Sequence, residues 1–293
     1  MLPDSFTPDF LRRLELVKIR SRRAFLGTRQ GGHVSIKRGH GIEFADYRQY
    51  ELGDNPRHID WGVYARSDRL YVKKYQEEQD LNIYVVIDAS ASMFTPRSDR
   101  KWERAREIAL ALGYVALLEQ DTVTVSVPGF YNSPAIHGGR AIHQLGKDLL
   151  AIEPSEHRDF LKGLKRAVAQ MRFPGVAVVI SDLLMPGEEL REVFNLLRSK
   201  NMDTTAIQVL GPQDIEPLPN LESVIAVDSE TGSEIAVALS AEAREDYGAL
   251  LQAHNTALQE FLAGARISYV QALTTQDLSD FMVNNLPSTG LLR

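Results

Sequence analysis

Asp88-Ala89-Ser90-Ala91-Ser92 places one carboxylate and two hydroxyls at two-residue spacing, so that along an extended turn all three project to the same side. These are hard oxygen donors of the kind that suits Mg2+ or Mn2+; Mg2+ takes about six oxygens near 2.1 Å and keeps several waters. A second carboxylate, Asp182, follows Ser181 at the end of another apolar run. A Ser-Asp pair in that position also serves as an ordinary helix cap. Together with Asp-x-Ser-x-Ser it completes a candidate metal site of Asp88, Ser90, Ser92 and Asp182. The catalytic alternative is a Mg2+-dependent hydrolase with Ser90 or Ser92 as nucleophile. It needs a base, for which His157 is the histidine available, and the chain has neither a Gly-x-Ser-x-Gly elbow nor a P-loop. There is no cysteine, which removes thiolate ligands, a cysteine nucleophile and disulfides.

These residues need a scaffold that brings strand ends together. Residues 81–285 alternate short apolar runs with amphipathic stretches. The runs at 81–87, 122–127, 176–180, 204–210 and 267–272 read as strands buried on both faces. Between them 102–118, 161–171, 188–199 and 241–263 read as helices. The pattern predicts an α/β fold of Rossmann type, an open and mostly parallel sheet with helices on both faces. Ligands in such sheets bind in the crevice beyond the strand carboxyl ends, where Asp88 and Asp182 fall. Two β-rich runs in 223–239, flanking Asp228 to Ser233, predict a hairpin. Residues 1–80 form a separate N-terminal extension, with a helix-like stretch from Phe10 to Phe25 and then a polar segment packed on the main domain. Residues 286–293 are set apart as a tail.

The 293 residues carry a net charge of −6, unevenly distributed. Between Arg12 and Arg38 nine Lys or Arg face one acid, Glu15. Such a patch could engage nucleic acid, but only one aromatic residue, Phe25, lies within it for base stacking, and a solvated basic helix accounts for it more simply. The apolar run Ile108–Leu118 is eleven residues long, short of the about 20 a membrane span needs. The amino terminus lacks a signal peptide's basic start and apolar core, so a cytoplasmic protein is expected. His33, His40 and His58 follow no metal-ligand spacing.

Asp88, Ser90, Ser92 and Asp182 resemble the metal-ion-dependent adhesion site of von Willebrand factor A domains. That resemblance implies serines that contact the metal, aspartates that act through water, and a coordination position completed by an acidic side chain of a partner. Upstream, Gly32-His33-Val34-Ser35, Arg38-Gly39-His40-Gly41-Ile42-Glu43-Phe44, Arg48-Gln49-Tyr50 and Gly53-Asp54-Asn55-Pro56-Arg57-His58-Ile59-Asp60-Trp61, continued by Ala65-Arg66, resemble the signature of the bacterial family known as domain of unknown function 58. The family resemblance implies a non-catalytic protein-binding module that works with a MoxR-type AAA+ ATPase in complex assembly, maturation or regulation. In that signature Arg48, Asp54, Arg57, Asp60 and Arg66 are expected to pair among themselves or form a partner surface, with Trp61 as a core anchor. One departure stands out. The family places a metal-contacting threonine where Glu156-His157-Arg158-Asp159 stands here, so Arg158 takes its position. A guanidinium has no lone pair for a metal. It would either replace the ion between the aspartates or turn outward, leaving Ser155 or Asp159 to act.

Overall fold

The computed structural model describes residues 2–21, 43–76, 81–152, 160–172, 175–217, 222–227 and 233–293. By packing, the chain forms two units, Met1–Arg23 with Leu81–Arg293, and Ala24–Asp80.

Helix α1 (Pro8–Leu14) starts where the Thr7 hydroxyl accepts from the Phe10 N–H, with Pro at its first position and Asp9 in its first turn. The helical stretch expected to run to Phe25 stops at Leu14, because the residues beyond it pair with the carboxyl terminus. Lys18 N donates to the Arg293 carbonyl and Arg20 N to that of Leu291, both at 2.8 Å. The last residues are therefore no loose tail: Leu286, Leu291 and Leu292 are buried in the core.

The smaller unit contains β1 (Glu43–Gln49) antiparallel to β2 (Tyr71–Gln76), with α2 (Trp61–Ser67) between them. Ile59 and Val72 are buried there and bridge one another.

The larger unit carries β3 (Asn82–Ile87), β4 (Thr122–Val127), β5 (Tyr131–Asn132), β6 (Gly175–Ser181) and β7 (Asp203–Leu210). It also holds the strands β8 (Ser223–Val227) and β9 (Glu234–Ala238), then β10 (Ser268–Leu273). Six of these form one sheet in the order β10-β7-β6-β3-β4-β5, parallel except for β5. The hairpin expected at 223–239 is a separate pair, β8 against β9; its turn lies outside the described residues.

The helices are α3 (Lys101–Leu118), α4 (Ile142–Leu150), α5 (Phe160–Gln170), α6 (Gly187–Ser199), the single turn α7 (Pro212–Ile215), α8 (Ala241–Gly264) and α9 (Leu278–Asp280). Alternate residues of β3 feed two cores. Ile83, Val85 and Ile87 pack with α1, α3 and α4, whereas Tyr84 and Val86 pack with α5, α6 and α8. Burial on both faces is why the central strands read as continuous apolar runs. Each buried Leu, Ile or Val contributes about 1.5–3 kcal/mol. Helix α3 is buried on nearly all sides, which accounts for its long uncharged stretch. Among the described residues no helix is long and apolar enough to cross a membrane.

Candidate functional site

The carboxyl ends of β3, β6 and β7 lie at one edge of the sheet, and Asp88, Asp182 and Asp214 follow them in the chain. β3 and β6 are neighbours in parallel register, with Ile87 opposite Ile180, so Asp88 and Asp182 emerge side by side. The Asp88 N–H donates to the Ile180 carbonyl at 2.8 Å, extending the ladder one residue into the site.

Asp88 is fully buried. Its Oδ1 accepts from the Ser90 N–H at 2.8 Å and its Oδ2 from the Ser181 hydroxyl at 2.6 Å. Burial pushes its carboxyl up to about 6, and the charge of Asp182 adds to the rise against the bonds from Ser181 and Ser90. Ser90 and Ser92 are half-buried at the opening, with their hydroxyl oxygens 3.1 Å apart. The sequence-predicted set Asp88, Ser90, Ser92 and Asp182 is thus brought to one place.

Asp182 is held by groups that sequence reasoning missed. Lys101 Nζ, 2% exposed, lies 3.2 Å from Asp182 Oδ2 and 2.9 Å from Asp214 Oδ1. Burial alone would lower the lysine's pKa, but the charges of Asp182 and Asp214 outweigh it and the net direction is upward. Asp214 is raised by burial, with Lys101 opposing the shift. Asp214 Oδ2 also accepts from Gly211 N at 2.8 Å, which fixes the turn after β7. From the opposite side Asp99 accepts from Gln213 N at 2.8 Å. A signal for Lys101 was present: a cation in the first turn of α3 opposes the helix dipole and calls for nearby acid. Asp214 follows a strand end as Asp182 does.

The backbone after Asp182 is also constrained. Leu183 sits at φ 54°, a left-handed conformation that costs a branched residue about 1–3 kcal/mol. Its N–H donates to Ser181 Oγ at 3.0 Å, and Gln208 Nε2 holds the Asp182 carbonyl at 3.0 Å.

A divalent cation fits the chemistry present. Among Asp88, Asp182, Asp214 and Lys101, three negative charges meet one positive charge and leave two uncompensated. Ser90 and Ser92 would hold the ion directly, and Asp88 and Asp182 would orient its waters. Among the described residues no three His, Asp or Glu side chains form a metal-holding group. Arg158, Ser155, His157 and Asp159 lie outside the described residues, as do His33 and His40.

In the smaller unit the signature residues pair locally. Arg48 binds Asp54 at 2.6 Å and Glu51 at 3.3 Å. Asp60 caps α2 through Gly62 N and Val63 N and accepts from the Tyr47 hydroxyl. Arg66 donates to the Gly62 carbonyl, and Arg57 is exposed. Trp61 corrects the sequence reading. It is 61% exposed and meets Tyr64 edge-on, whereas Ile59 and Val72 are buried among the described residues of this unit.

The fold and crevice define an α/β protein with an acidic, hydroxyl-lined site at the carboxyl edge of a parallel sheet. The sequence profile of the protein of unknown function DUF58 family matches residues 46–257, and the chain belongs to that family. Uncharacterized proteins of Mycobacterium tuberculosis and Mycobacterium bovis are each 25% identical over 284 residues, covering 92% of this chain and 86% of theirs. Among solved structures, the conserved hypothetical protein BatB from Bacteroides thetaiotaomicron is similar with a TM-score of 0.40 and 14% identity, over 72% of this chain and 98% of its own. An aerotolerance-related membrane protein from Bacteroides fragilis is similar with a TM-score of 0.42 and 16% identity, over 71% and 98%.

Proposed function

We propose that this chain is a non-catalytic, cytoplasmic protein-binding module whose crevice presents Mg2+ or Mn2+ to an acidic side chain of a partner protein. The observation that carries the reading is the fully buried Asp88 carboxylate beside Asp182, with the Ser90 and Ser92 hydroxyls at the opening. Two buried like charges are costly to hold together, and a cation at the hydroxyls relieves them. An outside carboxylate then completes the coordination, so recognition selects acidic partners. Family membership, together with the resemblance of the site to the adhesion site of von Willebrand A domains, supports a MoxR-type AAA+ ATPase or its client as that partner. Exposed Trp61 and Tyr64 add an aromatic surface suited to protein contact. The hydrolase reading has less support, since the hydroxyls of Ser90 and Ser92 lie within hydrogen-bond distance of one another and the sequence holds neither a Gly-x-Ser-x-Gly elbow nor a P-loop.

The test is binding of the intact chain to a MoxR-type ATPase from the same genome, measured by biolayer interferometry with Mg2+, with EDTA and with Asp88→Ala. The proposal expects binding in Mg2+ that falls at least about tenfold in EDTA and in Asp88→Ala. Binding indifferent to both would contradict a role for the crevice.

A further inference from the structure

Lys101 is placed against two general preferences. Burial favours a neutral amine, and the first turn of a helix favours anions, yet Lys101 begins α3 with its side chain 2% exposed. What holds it there is the pair of carboxylates from two other elements, Asp182 after β6 and Asp214 in α7. Asp182 is therefore shared. Its Oδ2 accepts from Lys101, its Oδ1 faces Leu184 N at 3.4 Å, and its charge still acts on Asp88. Among the described residues, two further charged groups near α3 are engaged elsewhere. Arg104 turns to the carbonyls of Thr274 and Gln276, and Asp99 to Gln213 N. Lys101 has three donors and no lone pair, so it cannot be a ligand.

We propose that Lys101 is a tethered counter-ion that sets the divalent-cation affinity of the crevice, keeping it low in the free protein so that stable capture needs a carboxylate from outside. This rests on the cation-bridged reading of the site. The ammonium repels an incoming dication and occupies part of Asp182, leaving the four-group cluster two negative charges rather than three. A partner's acid restores the third. Lys101 acts here as a positioning residue, and Asp214 keeps its charge from falling wholly on Asp182.

The test is calorimetric titration of metal-stripped, full-length protein with Mn2+, comparing wild type, Lys101→Met and Asp214→Asn, each also with Asp88→Ala. Lys101→Met should bind Mn2+ at least about tenfold tighter than wild type, and Asp214→Asn at least about threefold weaker, with Asp88→Ala abolishing the signal in each. A merely structural lysine would move both variants in the same direction. Equal or weaker binding by folded Lys101→Met, or equal or tighter binding by Asp214→Asn, overturns the inference. Should Lys101→Met fail to fold, the Asp214→Asn shift decides it. A wild type that binds through Asp88 with neither shift present would sink the inference and leave the cation reading standing. Silence from every variant would sink both.

Discussion

Asp88 accepts two short hydrogen bonds and still carries a raised pKa, because loss of water and the charge of Asp182 outweigh them. A carboxyl at about 6 in the folded state and 3.8 in the unfolded state binds its proton more tightly when folded. Its effect on stability is nil below the lower value, turns unfavourable between the two, and is fully unfavourable above about 6, where about 3 kcal/mol is lost. Asp88→Asn removes that penalty while Ser90 N keeps an acceptor. In chelator at pH 7.5 it should raise the urea midpoint relative to wild type, and at pH 4 the two should converge. Lys101→Met does the reverse. It leaves Asp182 and Asp214 without their shared cation and should cost about 3–5 kcal/mol in urea denaturation in chelator. Asp88, Ser90, Ser92 and Asp182 were legible as a set because two-residue spacing after an apolar run fixes direction. Lys101 and Asp214 were not, since a cation in the first turn of a helix calls for acid without naming it, and the partners lie 81 and 113 residues away.

At the scale of elements, the five parallel strands could be read in the sequence because burial on both faces leaves unbroken apolar runs, and each fell within a residue or so of its expected bounds. Helix α4 escaped notice although Ile142, Leu145 and Leu149 share a face, being nine residues long with Gly146 in the middle. Strand β5, of two residues, gives no periodicity at all. How closely the elements approach is likewise invisible in sequence. A Cβ at Gly163 of α5 would lie 2.6 Å from Gly129 N and 2.7 Å from the Pro128 carbonyl carbon, both backbone atoms that cannot swing aside. Gly163→Ala gains about 1 kcal/mol of helix propensity but must push α5 off the end of β4 at about 1–3 kcal/mol. A net fall in melting temperature is predicted; a rise would show that the contact yields.

For the whole molecule, the amino and carboxyl termini close on one another beside the sheet. Ile19 pairs with Leu292, which is 2% exposed among the residues of the α3 face. Leu292→Ala should therefore cost about 2–4 kcal/mol in urea denaturation, a core-sized loss within the segment 286–293 that the sequence sets apart as a tail. That closure lay beyond sequence reading because it joins segments at opposite ends of the chain, where no local pattern registers. The account rests on a cation held at Ser90 and Ser92 and oriented by Asp88. Its most direct test is calorimetric titration of metal-stripped protein with Mn2+, beside Asp88→Ala and Arg158→Thr. The account predicts Mn2+ binding in wild type that Asp88→Ala abolishes and Arg158→Thr preserves or tightens. No binding in wild type or Arg158→Thr, or binding unchanged by Asp88→Ala, would contradict it.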